Sequence, residues 1–243
     1  MSLKEKAAIL AIPPKWIFLP VLRNYVEVFQ RGEFLRGFYN STIIGVCMIV
    51  LSLCLGLPAA YVLSRFKFTG RSNLEFWVLT TRMMPPVVVL IPYFLLFRSI
   101  NLLDTKLAVI IMHTIIGLPL VIWVMRGFFM EIPGELEEAA LIDGCTYWGA
   151  FLRVILPTST TGVVAVAILS FLFSWNELLS ALVLTGYNSK TAPVTVYNFI
   201  SFQEMAWGPL TAAGIIILIP AIIFISLTHR SLVRGLTFGA VKG

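Results

Sequence analysis

Ser41–Ser64 reads STIIGVCMIVLSLCLGLPAAYVLS, without one charged residue. A bilayer's hydrocarbon core is crossed by about 20 mostly apolar residues in a helix, so this stretch is long enough to span. Four more runs have the same character: Leu74–Phe97, Leu107–Met125, Gly162–Thr185 and Thr211–Thr228. All five are continuously apolar. Barrel strands would alternate with a period of two, so the expected class is all-α, a polytopic membrane helical bundle of five spans.

Composition agrees. Of 243 residues, 58% are hydrophobic and 12% charged, and the mean hydropathy is +0.91. Soluble domains carry about a quarter charged residues. The net charge of +6 is scattered along the flanks of apolar runs, as is usual beside membranes, and does not point to nucleic acid. The three cysteines form no CxxC or Cys/His cluster, so neither a disulfide framework nor a metal site is expected. The short apolar run after Lys4 and Lys6 ends at Pro13-Pro14 and is no cleavable signal peptide.

Between the third and fourth spans lies the acidic segment ELEEAALIDGCTYWGAFLRVILP, Glu135–Pro157. Pro133 suits a first helical turn, and Glu135, Glu137 and Glu138 complement the dipole there. A helix is expected over Glu135–Asp143, with Gly144 in the left-handed position that ends it. A second helix is expected from Thr146 to Leu156, stopping at Pro157. Its Trp148, Phe151, Leu152 and Ile155 make one apolar face. Ala139-Ala140 would project outward and admit another backbone closely, while Glu138 and Asp143 add charge. This suits a helix docking into a partner's groove, and equally an ordinary connecting loop with a surface helix.

The same residues resemble the EAA motif of ABC importer permease subunits. Glu138-Ala139-Ala140, Gly144, Val154 and Leu156-Pro157 stand at its spacing, with Val154 where isoleucine is more typical. NYVEVF, PAAYVLSRFKFTGR, MMPPVVVLIPYFLLF, LLDT, SFLFSWNELLSALVLT and VRGLTFGAVKG look like the carbohydrate-uptake branch, the maltose-permease G-type subunit. The resemblance covers essentially the whole chain. It implies a MetI-like ABC permease architecture in a bacterial-type inner membrane, with Glu138, Ala139, Ala140, Asp143, Gly144, Leu156 and Pro157 in a cytoplasmic coupling helix. It implies as partners a cytoplasmic ATP-binding subunit dimer, a second homologous permease subunit, an extracytoplasmic solute-binding protein and a sugar. The C-terminal tail would reach toward the ATPases.

Charge alone divides on orientation. Arg65–Arg71 and the tail after His229 are basic, which puts both inside. The N-terminal forty residues are also basic, and five spans put them outside. A coupling loop must face the ATPase, and the resemblance therefore favours loop and C-terminus inside. Such permeases usually carry six spans. MSLKEKAAILAIPPKWIFLP resembles the segment after the first of them, so the single permease domain over residues 1–243 is expected to lack that span, either through truncation or a misassigned start or because the protein works with five spans.

Polar groups inside the spans mark a candidate translocation path, because ionisable groups at membrane depth are costly. Arg82 precedes Pro85-Pro86, a pair that breaks the helix. Trp175, Asn176 and Glu177 sit together in the fourth span, where an aromatic and hydroxyl-matching groups would suit a sugar. Packing across helices accounts for them equally well. His113 is expected to be a satisfied interior group. No GxxxxGK[ST] loop, HExxH or GxSxG occurs, so no ATPase, protease or cofactor chemistry is expected of the chain itself. The competing reading is a stand-alone secondary transporter or channel, motivated by Arg82 and Glu177. The absence of a visible inverted repeat counts against it.

Overall fold

The computed structural model describes residues 1–200 and 206–237, with 227–237 by backbone alone. The chain is helical. We label the main elements α1 (Arg23–Gln30), α2 (Gly32–Arg65), α3 (Arg71–Thr81), α4 (Pro86–Ser99), α5 (Lys106–Glu131) and α6 (Gly134–Ile142). They are followed by α7 (Tyr147–Thr158), α8 (Thr160–Asn176), α9 (Leu179–Leu184), α10 (Ala192–Tyr197) and α11 (Trp207–Thr237). Among the described residues, α2, α5 and α11 are unbroken helices long and apolar enough to cross a membrane. Two bent pairs, α3 with α4 and α7 with α8, meet the same test together, which makes up to five spans if each pair is one span.

The second expected span is therefore not one helix. It turns by 92° between Thr81 and Pro86. Pro86 forces Pro85 out of the α region, and Pro85 does the same to Met84, so α3 cannot run on into α4. The fourth expected span is also interrupted. α8 stops at Asn176, Glu177 is extended with φ −70° and ψ 118°, and α9 starts two residues later.

Pro157 does not stop the second loop helix. The preceding turn, Phe151–Ile155, widens into a π-turn, which makes room for the ring and its missing N–H. The chain bends by 78° at the next break, Ser159. There the hydroxyls of Thr158, Ser159 and Thr160 bond back to the carbonyls of Val154, Ile155 and Pro157 at 2.6–2.8 Å, a pattern that bends helices.

The two largest apolar clusters among the described residues lie toward opposite ends of the bundle. At one end Leu57, Tyr61, Met125, Phe129, Phe151, Ile155 and Val166 join α2, α5, α7 and α8. At the other, Ile44, Leu90, Phe97, Val109, Met112 and Leu184 join α2, α4, α5 and α9. The N-terminal segment is tied on by Asn24, which donates to the carbonyls of Ser2 and Lys4 at 2.8 and 2.9 Å.

Candidate functional site: the acidic segment and the polar breaks

α6 begins after Pro133 and ends in a complete Schellman motif. Gly144 has φ +84°. Its N–H donates to Leu141 O at 3.0 Å, and the Cys145 N–H donates to Ala140 O at 3.0 Å. A side chain at position 144 would meet left-handed strain, so glycine fits here for a stated reason. Thr146 then caps α7, its hydroxyl accepting the Gly149 N–H at 3.1 Å.

α6 is nearly all surface. Glu135, Glu138, Ala139 and Asp143 are exposed, and Ile142 is 86% exposed. Ala140 is buried against the chain's own bundle. Only Ala139 of the alanine pair is free to meet a partner. The apolar face expected on α7 is also divided: Phe151 and Ile155 are buried, whereas Trp148 and Leu152 stand half-exposed beside α6. Leu156 and Pro157 belong to the bent segment leading into α8.

Glu137 faces the other way from Glu138. It is buried, and its carboxylate accepts from the Tyr61 hydroxyl at 2.5 Å and pairs with Arg65 Nε at 3.0 Å. The sequence reading gave Glu137 only a dipole role. Tyr61 and Arg65, one turn apart at the end of an apolar run, were the available signal, since a base held there needs an acid.

The expected path residues do not form one group. Arg82 donates from Nη1 to Ile116 O at 3.1 Å. Ile116 lies in α5, three residues before Pro119, so the guanidinium ties the break after α3 to α5. Trp175 is 1% exposed, stacked on Phe171 at 5.3 Å and edge-on to Phe38 at 5.1 Å. Its indole N–H donates to Ile217 O at 3.0 Å, three residues before Pro220 in α11. Trp175 therefore offers no face for a sugar. Asn176 is exposed and donates within its own helix to Leu172 O at 2.8 Å.

Glu177 bonds across helices. Its carboxylate accepts the Ser180 N–H at 3.0 Å, the Ala181 N–H at 3.3 Å and the Ser180 hydroxyl. It also meets His113 Nε2 at 3.1 Å, while His113 Nδ1 lies 2.8 Å from Ser174 Oγ. His113 is fully buried and satisfied, as expected.

A second carboxylate organises the opposite end of the bundle. Asp104 accepts from the N–H groups of Gly186, Asn188 and Ser189 at 2.8–3.1 Å and from the Ser189 hydroxyl at 2.9 Å. The adjoining loop carbonyls of Asn188 and Lys190 take the Asn40 amide at 3.1 and 2.9 Å. Tyr187, Tyr197 and Trp207 lie exposed around this loop, and Phe202 is outside the described residues. Burial opposes ionisation of Asp104, but the donors of Asn188, Gly186 and Ser189 outweigh it and bring its pKa from 3.8 down to about 2. A lowered folded-state pKa stabilises at pH values above the unfolded one. The clasp should therefore be intact above about pH 4 and should loosen as pH falls toward 2. Asp104→Asn should release it at neutral pH as well, because an amide NH2 would face N–H donors. Hydrogen exchange at residues 186–192 reads both effects, and unchanged protection in the variant would refute the assignment.

Residues 52–238 match the model of the binding-protein-dependent transport system inner membrane component. The chain belongs to this family. The permease is 41% identical over 224 residues to the trehalose transport system permease protein SugB of Mycobacterium tuberculosis, covering 90% of this chain and 81% of that protein. It is 32% identical over 247 residues to the sulfoquinovosyl glycerol transport system permease protein SmoH of Agrobacterium fabrum, covering 100% and 86%. In fold, this inner-membrane permease superposes on a chain of a bacterial ABC transporter involved in alginate import, with TM-score 0.76 at 23% identity, covering 94% and 86%.

Proposed function

We propose that this permease is the carbohydrate-conducting membrane subunit of an ABC importer and that α6 is its coupling helix. The carrying observation is the division of α6 into two faces. Glu137 and Ala140 hold it to the bundle, while Glu138, Ala139, Ile142 and Asp143 are left outward beside Trp148. An exposed acidic helix that also shows Leu136 and Ile142 suits a groove on another protein.

The partners are a dimer of ATP-binding subunits, a second homologous permease and an extracytoplasmic solute-binding protein. The chain has no phosphate-binding loop of its own, and ATP hydrolysis falls to the partners. α6 and the C-terminus face the cytoplasm. Of the tail assigned to ATPase contact, residues 235–243, all but the first three lie outside the described residues. The carbohydrate assignment rests on the sugar-transport permeases it is similar to. Arg82 and Glu177, which motivated a stand-alone transporter, are bonded to neighbouring elements, and that removes the reason for it.

Co-purification tests the reading. The chain is expressed with its ATPase and sister permease, and the ATPase retained after detergent extraction is measured. Asp143→Arg should lower retention about tenfold or more, the scale of a contact worth about 1.4 kcal/mol. Gly144→Pro removes the N–H bonded to Leu141 and forbids φ +84°. Both variants should abolish transport while staying in the membrane. Uptake retained in both would refute the coupling role.

A further inference from the structure

The structure assigns a positioning role to Glu137, Arg65 and Tyr61: together they lock the coupling helix rigidly to the end of α2. This inference rests on α6 being the coupling helix. The need for a lock follows from the size of α6. It has nine residues, too few to be stable alone in water. The residues it buries are Glu137 and Ala140, with Leu141 partly buried, and so small an apolar surface does little to fix its orientation. The polar attachment is Glu137.

That attachment is directional. One carboxylate oxygen accepts from the Tyr61 hydroxyl at 2.5 Å, and the other lies 3.0 Å from Arg65 Nε. Arg65 Nη2 also donates to Ile132 O at 2.8 Å, at the C-cap of α5. The Tyr61 ring rests on Phe151 of α7 at 4.8 Å and edge-on to Phe129 of α5 at 6.3 Å. One carboxylate thereby ties α6 to α2, which is tied in turn to α5 and α7. A buried ion pair adds little net stability over apolar residues of equal volume. What the charge-assisted bond from the Tyr61 hydroxyl adds is fixed geometry, while Arg65 Nε meets the other oxygen as an ion pair without hydrogen-bond alignment. An apolar contact would let a short helix slide or roll on the bundle. This one makes α6 move with the last turns of α2, so displacement of the coupling helix becomes displacement of a span.

The test uses the co-purified complex, with ATP as the probe so that the solute need not be known. Spin labels are placed on Glu135→Cys and Leu55→Cys, both exposed and outside the docking face, in a chain cleared of its own cysteines. Their separation is measured with and without ATP. A rigid joint predicts no change in the otherwise unaltered chain. Glu137→Gln, close in shape but uncharged, should keep the ATPase bound and make the separation ATP-dependent by more than about 2 Å, beyond ordinary helix shifts at interfaces. Tyr61→Phe removes only a hydroxyl and should do the same, and it decides the matter if Glu137→Gln fails to insert. An ATP-dependent separation in the unaltered chain overturns the proposal. So does an ATP-independent one in the variants with ATPase retained. Loss of ATPase from both variants would mean that the cluster merely builds the dock, which also overturns it. Retention of ATPase by Asp143→Arg would instead show that the coupling reading itself had failed.

Discussion

A Glu177→Leu permease should lose more than about 3 kcal/mol of stability, because several buried donors are left unpaired at about 1–3 kcal/mol each. The donors are the N–H groups of Ser180 and Ala181 and the Ser180 hydroxyl, and the His113 ring loses its Nε2 partner. Leucine is apolar, so the usual membrane logic would favour it in a span. Here the chain is broken, and the carboxylate completes the first turn of α9 where backbone donors would otherwise face hydrocarbon. Glu177→Gln keeps one oxygen acceptor and most of the shape, and should cost far less. His113→Leu should fall between, since the cap on α9 survives. Heating detergent-extracted protein and measuring the fraction that remains monodisperse ranks the three. A leucine variant as stable as the unaltered chain would refute the capping role.

Local chemistry was legible in the sequence. The apolar runs marked the long helices α2, α5 and α11, Pro133 and Gly144 gave the ends of α6, and Pro85-Pro86 marked a real break. These features depend on a few neighbouring residues. What the sequence hid depends on distant partners. Whether Glu137 or Glu138 is the buried acid is decided by Tyr61 and Arg65 on α2. Asp104 meets a loop more than eighty residues further on, and nothing beside it announces that. Pro157 looked like a stop because its effect was judged from α-helical geometry. The π-turn that accommodates it is packed into the core by Phe151 and Ile155. Trp175 and Asn176 looked like a sugar platform by residue type. Burial under Phe38 and Phe171, and the carbonyl of Ile217, make Trp175 a packing residue instead.

Gly56→Leu should be comparably damaging, at or above the top of the ~1–3 kcal/mol range for overpacked cores. α2 and α5 cross where Gly56 faces α5, and a Cβ there would stand 2.6 Å from Val121 Cγ1, 3.1 Å from Val121 Cβ and 3.3 Å from Leu118 Cδ1. Val121 is fully buried and β-branched, and in a helix such a side chain has one strongly preferred rotamer. It cannot swing aside, so the backbones must part. Small residues commonly permit such close approach between membrane helices. Gly117 supplies the control on the same seam. A Cβ there would meet Met48 Cε at 2.2 Å, a worse overlap by distance, but the obstacle is the free end of a flexible side chain. Gly117→Ala should therefore be tolerated, and Gly56→Ala should already lower the melting temperature. If the two alanine variants melted alike, the stiffness of Val121 would not be what sets the cost. If Gly56→Leu melted with the unaltered chain, α2 and α5 would not need this approach.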